Sequence, residues 1–127
     1  MDLAVFGIFF EETENKAEET PFFREYLFAG DTIKSKSEKF DLDFSAIFNL
    51  VFRKNQKIFT YPGSLTTPEC NEAVRWHVFK HPLLIHKETL ERFKEYWFNG
   101  EEVKNGNYRK TMPLNGRKVL YMKFCES

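Results

Sequence analysis

The fold is decided by the segment Tyr61-Pro62-Gly63-Ser64-Leu65-Thr66-Thr67-Pro68-Glu69-Cys70-Asn71-Glu72-Ala73-Val74-Arg75-Trp76. It contains a Pro-Gly turn, two adjacent threonines, a second proline and then the start of an alternating apolar pattern. Taken as residues alone, the hydroxyls of Ser64, Thr66 and Thr67 are typical of side chains that cap a tight loop.

Strand signals lie on both sides of this segment. The run Leu3 to Phe10 is continuously apolar and of strand length, which predicts a strand covered on both faces. Residues Lys57 to Tyr61 predict a short strand that ends at Pro62-Gly63, and Lys118 to Phe124 predict a final strand. From Glu72 to Phe79 the alternation of Val74, Trp76 and Val78 predicts a strand with one buried face.

Helix signals are fewer. Thr20 followed by Pro21 predicts a helix start, with Phe23 and Leu27 on one face. Lys87 to Lys94 predicts a short amphipathic helix with Leu90 and Phe93 directed inward, whereas residues 41–52 show no clean period and are expected to be irregular. Turn signals occur at Asn99-Gly100, Asn105-Gly106 and Asn115-Gly116. The chain is therefore predicted to be one α+β unit dominated by its sheet.

Composition limits the classes of function. The 127 residues fit one domain, and 15 Phe supply much of a core. Lys plus Arg is 19 and Asp plus Glu is 19, so the balanced charge gives no support for nucleic-acid or acidic-membrane binding. The longest apolar run is far shorter than the roughly 20 residues of a spanning helix. Two cysteines, Cys70 and Cys125, make neither a disulfide framework nor a four-cysteine zinc site, and spacing leaves their pairing open.

The central segment resembles the Tyr-x-Gly-Ser-Leu-Thr-Thr-Pro-Pro-Cys-x-Glu-x-Val-x-Trp signature of α-class carbonic anhydrases. Two further segments agree in family order. Leu3 to Phe9 is similar to the family strand Leu-Ala-Val-Leu-Gly-Ile-Phe, and Asn107 to Arg117 resembles the family's carboxyl-terminal Asn-Φ-Arg-Pro-x-Gln-Pro-Leu-x-x-Arg. The resemblance spans nearly the whole chain. It implies that residues 1–127 form the C-terminal half of one such domain, part of a central twisted β-sheet with short peripheral helices.

The resemblance implies a reaction, the reversible hydration of carbon dioxide to bicarbonate by zinc-bound hydroxide. Zinc lowers the pKa of bound water to about 7, which provides a nucleophile at neutral pH. Thr66 matches the catalytic threonine whose hydroxyl oxygen accepts a hydrogen bond from that hydroxide, and Thr67 matches a neighbour on the polar wall. The residues that match the apolar wall around carbon dioxide are Val5, Leu65, Val74 and Trp76. Because a pocket wall and a core face look alike in sequence, an ordinary core role for Val5, Val74 and Trp76 stays open.

The family's metal ligands have no counterpart in this sequence. The family binds zinc through three histidines, two of them in a His-x-His-Trp strand, and no such motif occurs here. The histidines present are His77, His81 and His86, and His77 is expected to point away from the face of Trp76. No metal ligand is therefore predicted in this chain. The zinc ligands, the proton-shuttle histidine and the glutamate partner of Thr66 would come from the N-terminal half of the same domain, which is the expected partner.

Two positions depart from the family pattern, and one matching cysteine carries a further expectation. Glu69 replaces a proline whose preceding bond is cis in the family, and a cis bond before a non-proline residue costs about 2.5–4 kcal/mol, so a trans bond is expected. Lys110 also replaces a proline. Cys70 matches a cysteine that, in secreted and membrane-bound members, pairs with one near the amino end of the domain. That match suggests a secreted parent, although no signal peptide is recognised.

Three interpretations follow. The first is a partial chain of a zinc lyase that is inactive alone and acts on carbon dioxide and bicarbonate when completed. The second is a non-catalytic, carbonic-anhydrase-related binding module or remnant. The third is a structural fragment without activity. An in-frame His-x-His-Trp strand upstream of Met1 would favour the first.

Overall fold

A computed structural model describes residues 3–25, 44–98 and 106–123. Within these ranges the chain forms β1 (Leu3–Thr13), a 3₁₀ helix (Lys16–Glu18), a helical segment (21–25), α1 (Ser45–Val51), β2 (Lys57–Gly63), β3 (Val74–His86), α2 (Lys87–Phe98) and β4 (Leu120–Lys123). The predictions made for Leu27, Asn99-Gly100, Asn105, Phe124 and Cys125 fall outside the described residues. The sheet-dominated α+β class is confirmed. No helix in the described part is long and apolar enough to cross a bilayer.

The four strands form one sheet in the order β1-β3-β2-β4. Strand β2 is antiparallel to both of its neighbours, β3 and β4. Its register with β3 pairs Tyr61 with Trp76 and Gly63 with Val74. Because partners in register project to the same side of a sheet, Tyr61, Trp76 and Val74 share one face.

Strands β2 and β3 differ from the sequence-based predictions. Strand β2 continues through Pro62 and Gly63, because both residues stay in register with β3 and the Pro62 carbonyl accepts a bond from Arg117 Nη1 at 2.9 Å. Strand β3 continues to His86. Its deepest residue is Phe79, which is 0% exposed and lies on the face opposite Trp76 and Val78. The prediction of a single buried face, made from alternation alone, was therefore wrong.

Strand β1 was predicted to be covered on both faces, and the structure contradicts this prediction. Its side chains are mostly exposed, and Phe6, Phe9 and Phe10 are 54%, 58% and 43% exposed. The strand stands at one end of the described sheet, so a single described strand pairs with it. A continuous apolar run indicates that a strand can be buried on both faces. It does not indicate which neighbouring elements are present to bury it.

Residues 41–52 were expected to be irregular, and the structure shows a helix at Ser45–Val51. The amide of Phe48 donates to the Phe44 carbonyl at 2.9 Å, and Val51 is 3% exposed. The side chains of Phe44, Phe48 and Val51 recur at helical spacing, but the apolar residues between them obscure the period. Helix α2 was predicted correctly and extends to Phe98, with Leu90 and Phe93 half-buried.

The chain divides into two compact units. The first comprises residues 1–9, 52–82 and 105–127. Three aromatic rings lie together in this unit. The ring centroids of Phe6, Phe52 and Phe79 are 5.5 to 6.3 Å apart, and Phe52 makes edge-to-face contacts with both other rings. Such edge-to-face arrangements match the quadrupoles of the rings and add to the stabilisation from burial.

The second unit comprises residues 10–51 and 83–104. It contains a buried carboxylate, since the side chain of Glu19 is 1% exposed. One Glu19 oxygen accepts the His86 amide at 3.0 Å and the other accepts Arg24 Nη2 at 2.7 Å, while Thr89 supplies a further bond. Burial by itself raises the pKa of Glu19, but these hydrogen bonds from Thr89, His86 and Arg24 outweigh it and hold the pKa below its ordinary value of 4.5.

The exposed end strand predicts self-association. Strand β1 presents backbone groups that no described strand pairs, next to exposed phenylalanines, and such edges recruit other chains. Replacing Phe9→Lys places a charge on this strand and is expected to shift the sedimentation profile toward monomer. The matched control is Tyr108→Lys, which removes an 82% exposed aromatic from a loop. Equal effects of the two variants, or a wild-type chain that is monomeric at every concentration, would contradict the expectation.

The Glu19 site predicts a pH dependence of stability. The pKa of Glu19 is lowered on folding. Its ionised carboxylate therefore contributes fully to the free energy of unfolding above about pH 4.5, and this contribution is lost as the pH falls through the pKa of the folded state. Glu19→Gln should lower the free energy of unfolding at pH 7 by roughly 1–3 kcal/mol, because Arg24 and the His86 amide lose an ionised acceptor. In urea titrations the difference from wild type should shrink as the pH is lowered toward about 3.

A matched control is Glu14→Gln, which removes a carboxylate whose side chain is 80% exposed and which pairs with Lys87 at the surface. This variant should change the stability by far less than Glu19→Gln, because solvent screens exposed pairs. A difference between Glu19→Gln and wild type that stays constant from pH 7 to 3 would argue against the assigned role.

Candidate functional site

The loop between β2 and β3 is a compact turn closed by its own backbone. The amide of Leu65 donates to the Asn71 carbonyl at 3.0 Å, and the amide of Cys70 donates to the Thr67 carbonyl at 2.8 Å. The Pro68–Glu69 peptide bond inside this turn is cis, so the expected trans bond was wrong. The two backbone bonds keep Thr66 and Thr67 at the tip of the loop.

Trp76 fixes the start of this loop from β3. Its indole Nε1–H donates to the Ser64 carbonyl at 3.0 Å. The indole also occupies the space beside Gly63, where a Cβ would lie 2.8 Å from Trp76 Cδ1. Glycine is therefore required at position 63 by the close approach of the indole rather than by a turn.

Arg109 fixes the same loop from the carboxyl-terminal segment. Its Nη1 donates to Ser64 Oγ at 2.5 Å and lies 3.5 Å from the Leu65 carbonyl. The hydroxyl of Ser64 therefore helps to hold the loop. This is the structural role that is typical in sequence of the hydroxyls of Ser64, Thr66 and Thr67. The hydroxyls of Thr66 and Thr67 make no hydrogen bond among the described residues, and both residues are exposed.

Thr66 and Trp76 line a common pocket of about 340 Å³ within the first unit. The other lining residues are Tyr61, Gly63, Ser64, Arg109, Lys110, Thr111, Met112, Leu114, Arg117 and Val119. The sequence-based list of site residues omitted all of these. The signal for Arg109 and Arg117 was available, because both stand at matched positions of the family-like carboxyl-terminal segment.

The remaining candidate residues lie near this pocket or on the same sheet face. Val74 is 4% exposed and precedes Trp76 by two residues on β3. On β1 a Cβ added at Gly7 would lie 3.3 Å from Val78 Cγ2, so Val5, two residues away, shares the face of Val78 and Trp76. Val5 and Leu65 are half-buried. The structure thus places Val5, Val74 and Trp76 on one face, with Leu65, Thr66 and Thr67 in the adjoining loop.

The three histidines do not form a zinc site with the described residues. No group of three or more His, Cys, Asp or Glu within ranges 3–25, 44–98 and 106–123 could hold a metal ion. His77 contacts the Phe6 ring at 5.4 Å, and its buried Nδ1 faces no described partner. Its register partner is Thr60, whose buried Oγ1 also has no hydrogen-bond partner among the described residues. His86 uses Nδ1 to accept the Glu88 amide at 3.3 Å. These residues do not fit zinc.

Comparison with known proteins identifies the family. The family model described as eukaryotic-type carbonic anhydrase matches residues 1–123. The chain therefore belongs to the carbonic anhydrase family, whose members are zinc-dependent lyases that hydrate carbon dioxide.

Relatives agree across most of the chain. Carbonic anhydrase 7 of Mus musculus is 33% identical over 123 residues, which cover 92% of this chain and 44% of that protein. Carbonic anhydrase 6 of Mus musculus is 34% identical over 119 residues, covering 92% of this chain and 37% of that protein. The α-carbonic anhydrase of Thermovibrio ammonificans, solved with the inhibitor sulfanilamide, matches with a TM-score of 0.68 and 31% identity over 93% of this chain and 47% of its own. The chain thus spans less than half the length of these relatives.

The geometry predicts that the indole of Trp76 holds the loop. Trp76→Phe keeps an aromatic ring but deletes the bond to the Ser64 carbonyl, so the free energy of unfolding should fall by about 1 kcal/mol or somewhat more. The Leu65 amide should then exchange its hydrogen faster. The control is Tyr61→Phe, whose hydroxyl makes no hydrogen bond among the described residues and which should change both measurements little. Unchanged exchange at Leu65 in Trp76→Phe would contradict this role.

Proposed function

We propose that this chain forms the substrate-facing wall of a carbonic anhydrase site that interconverts carbon dioxide and bicarbonate, completed by a zinc-binding segment of the same domain. The observation that carries the proposal is the state of the loop hydroxyls. Trp76 and Arg109 bind the loop through Ser64, whereas the hydroxyls of Thr66 and Thr67 make no hydrogen bond among residues 3–25, 44–98 and 106–123.

Thr66 is the residue to which we assign the catalytic role. Backbone bonds on both sides hold its position, so its hydroxyl meets an incoming group without first breaking a bond within the protein. A hydroxyl whose backbone is held in this way accepts a hydrogen bond from an attacking hydroxide and thereby selects which lone pair of the hydroxide faces the carbon. Thr67, exposed beside it, lines the polar side of the same wall.

The apolar side of the wall is assigned to Val5, Leu65, Val74 and Trp76. Carbon dioxide is nonpolar, so a surface of aliphatic and aromatic carbon holds it without competing for the hydroxide. Val74 is buried and Trp76 is half-buried on the same face, which gives a rigid floor with an accessible ring. The chain's part in the reaction is therefore to position substrate and nucleophile.

The metal belongs to another segment in this proposal. The described residues do not fit zinc, and the relatives are more than twice as long as the part that this chain matches. The proposed partner is accordingly the N-terminal half of a carbonic anhydrase domain, which in the family carries the ligand histidines. The isolated chain is proposed to be inactive.

The test is a chimaera in which the N-terminal part of Mus musculus carbonic anhydrase 7, up to its first matched residue, is joined to this chain. Stopped-flow carbon dioxide hydration is expected to appear. Thr66→Ala should lower kcat/KM by roughly two orders of magnitude, about 2.7 kcal/mol, which is the scale for losing one oriented polar contact in a preorganised site. Zinc content should stay unchanged.

Two variants serve as controls in the same chimaera. Thr66→Ser keeps the hydroxyl and should be much milder than Thr66→Ala, and Thr67→Ala should cost less because its role is to line the wall. Full activity of Thr66→Ala, or loss of zinc from it, would show the assignment to be wrong. A chimaera that binds zinc but does not hydrate carbon dioxide would favour the non-catalytic binding module.

A further inference from the structure

A tight turn formed by residues 114–117 precedes β4 and has Asn115 and Gly116 at its centre. One backbone bond closes it, from the Arg117 amide to the Leu114 carbonyl at 2.9 Å. Asn115 and Gly116 have φ angles of 49° and 78°, in the left-handed region that asparagine and glycine tolerate best. Two central residues with positive φ are typical of a type I′ turn. Both residues are exposed, so the turn presents an Asn-Gly peptide bond to solvent.

The two groups that react when an asparagine loses its amide are both accessible in this turn. They are the side-chain carboxamide of Asn115 and the main-chain nitrogen of Gly116. Neither group makes a hydrogen bond within residues 3–25, 44–98 and 106–123. A Cβ placed on Gly116 would meet no atom within 4 Å, so the surroundings leave room for the carboxamide and for water beside the nitrogen.

The other asparagines in the described part of the chain lack this combination. The carboxamide of Asn15 is occupied, because its Oδ1 accepts the Ala17 amide at 3.0 Å. Each of the others precedes a residue whose side chain crowds the main-chain nitrogen, whereas glycine has no Cβ. The residues that follow them are Lys16, Leu50, Gln56, Glu72 and Tyr108. Within the described residues, Asn115 therefore stands apart by its free carboxamide and its glycine neighbour.

We propose that Asn115 is a site of spontaneous deamidation and that its isoaspartyl product releases Arg117 from β2. The Gly116 nitrogen loses its proton to the solvent and attacks Cγ of Asn115, which forms an N–Cγ bond and closes a cyclic succinimide. The Cγ–Nδ2 bond breaks, and the nitrogen takes up a proton and leaves as ammonia. Water then adds to one of the two succinimide carbonyls and opens the ring to aspartate or isoaspartate. The sequence of steps consumes only water.

The structural consequence follows from the contacts of Arg117. Its Nη1 donates to the Pro62 carbonyl of β2, and its Nε and Nη2 donate to the carbonyls of Leu114 and Pro113, each at 2.9 Å. An isoaspartyl linkage routes the main chain through the side chain of Asn115 and so inserts one extra carbon into the turn. The bond from the Arg117 amide to the Leu114 carbonyl then no longer forms, and the guanidinium loses the position from which it reaches Pro62. An aspartyl product keeps the backbone and adds only a charge.

The test is incubation of the purified chain in mildly alkaline buffer, followed by mass analysis of its tryptic peptides. Trypsin cleaves after Lys110 and Arg117, so Asn115 lies in a peptide of its own, separate from Asn99 and Asn105. Replacement of the amide by a carboxylate raises the mass of this peptide, and an isoaspartyl methyltransferase identifies the isoaspartate. The rate in the native chain should lie within about tenfold of the rate in guanidinium chloride. Tenfold corresponds to about 1.4 kcal/mol, the scale of the one backbone hydrogen bond that must open.

Two variants are the matched controls. Asn115→Gln should leave the peptide unmodified over the same period, because glutamine would have to close a larger and slower-forming ring. Asn115→Asp carries the charge of the product without the altered linkage. Hydrogen exchange at the Arg117 amide, followed by NMR, should be faster in the purified isoaspartyl form than in the fresh chain, whereas Asn115→Asp should resemble the fresh chain.

Opposite results overturn the proposal. If the peptide stays unmodified in the native chain while the unfolded chain is fully deamidated, the folded turn protects Asn115 and the site does not exist. Equal exchange at the Arg117 amide in the isoaspartyl and fresh forms removes the structural consequence, and equally fast exchange in Asn115→Asp assigns it to the charge. These measurements use this chain alone and involve neither zinc nor carbon dioxide, so failure here is distinguishable from failure of the proposed function.

Discussion

The antiparallel pairing of β2 with β3 is the constraint on which the site depends. This register places Gly63 opposite Val74 and Tyr61 opposite Trp76. A shift of one residue would turn Trp76 to the other face of the sheet, where it could no longer reach the Ser64 carbonyl. Glycine at position 63 belongs to the same constraint, because a Cβ there would collide with the indole.

The polar groups around this pairing fall into two classes. Ser64 and the carbonyls of Pro62 and Leu65 are bound by Trp76, Arg109 and Arg117, and they give the loop its shape. The hydroxyls of Thr66 and Thr67 are not used in this way. Hydroxyls that are exposed and make no hydrogen bond among the described residues are available to a ligand, which is what the role proposed for Thr66 requires.

Several elements could be predicted because their signals are local. The start of the helical segment at Pro21, the amphipathic helix α2 and the Asn115-Gly116 turn each depend on a few adjacent residues. Helix α1 was missed because Phe44, Ile47 and Phe48 are mixed with other apolar residues, so no period stands out. The burial of β1 was mispredicted for a different reason: a strand's own residues do not report which strands lie beside it.

The sequence by itself determined the family, the strand that carries Val74 and Trp76, and the threonines of the central segment, because these depend on the identity and order of neighbouring residues. Only the tertiary structure decided that Ser64 serves the loop while Thr66 remains available, since that depends on Trp76 and on Arg109, 45 residues away from Ser64. The pocket beside Thr66 is likewise a product of folding. Arg109 and Arg117 come from a carboxyl-terminal segment brought against β2, and their convergence with Trp76 does not follow from spacing along the chain.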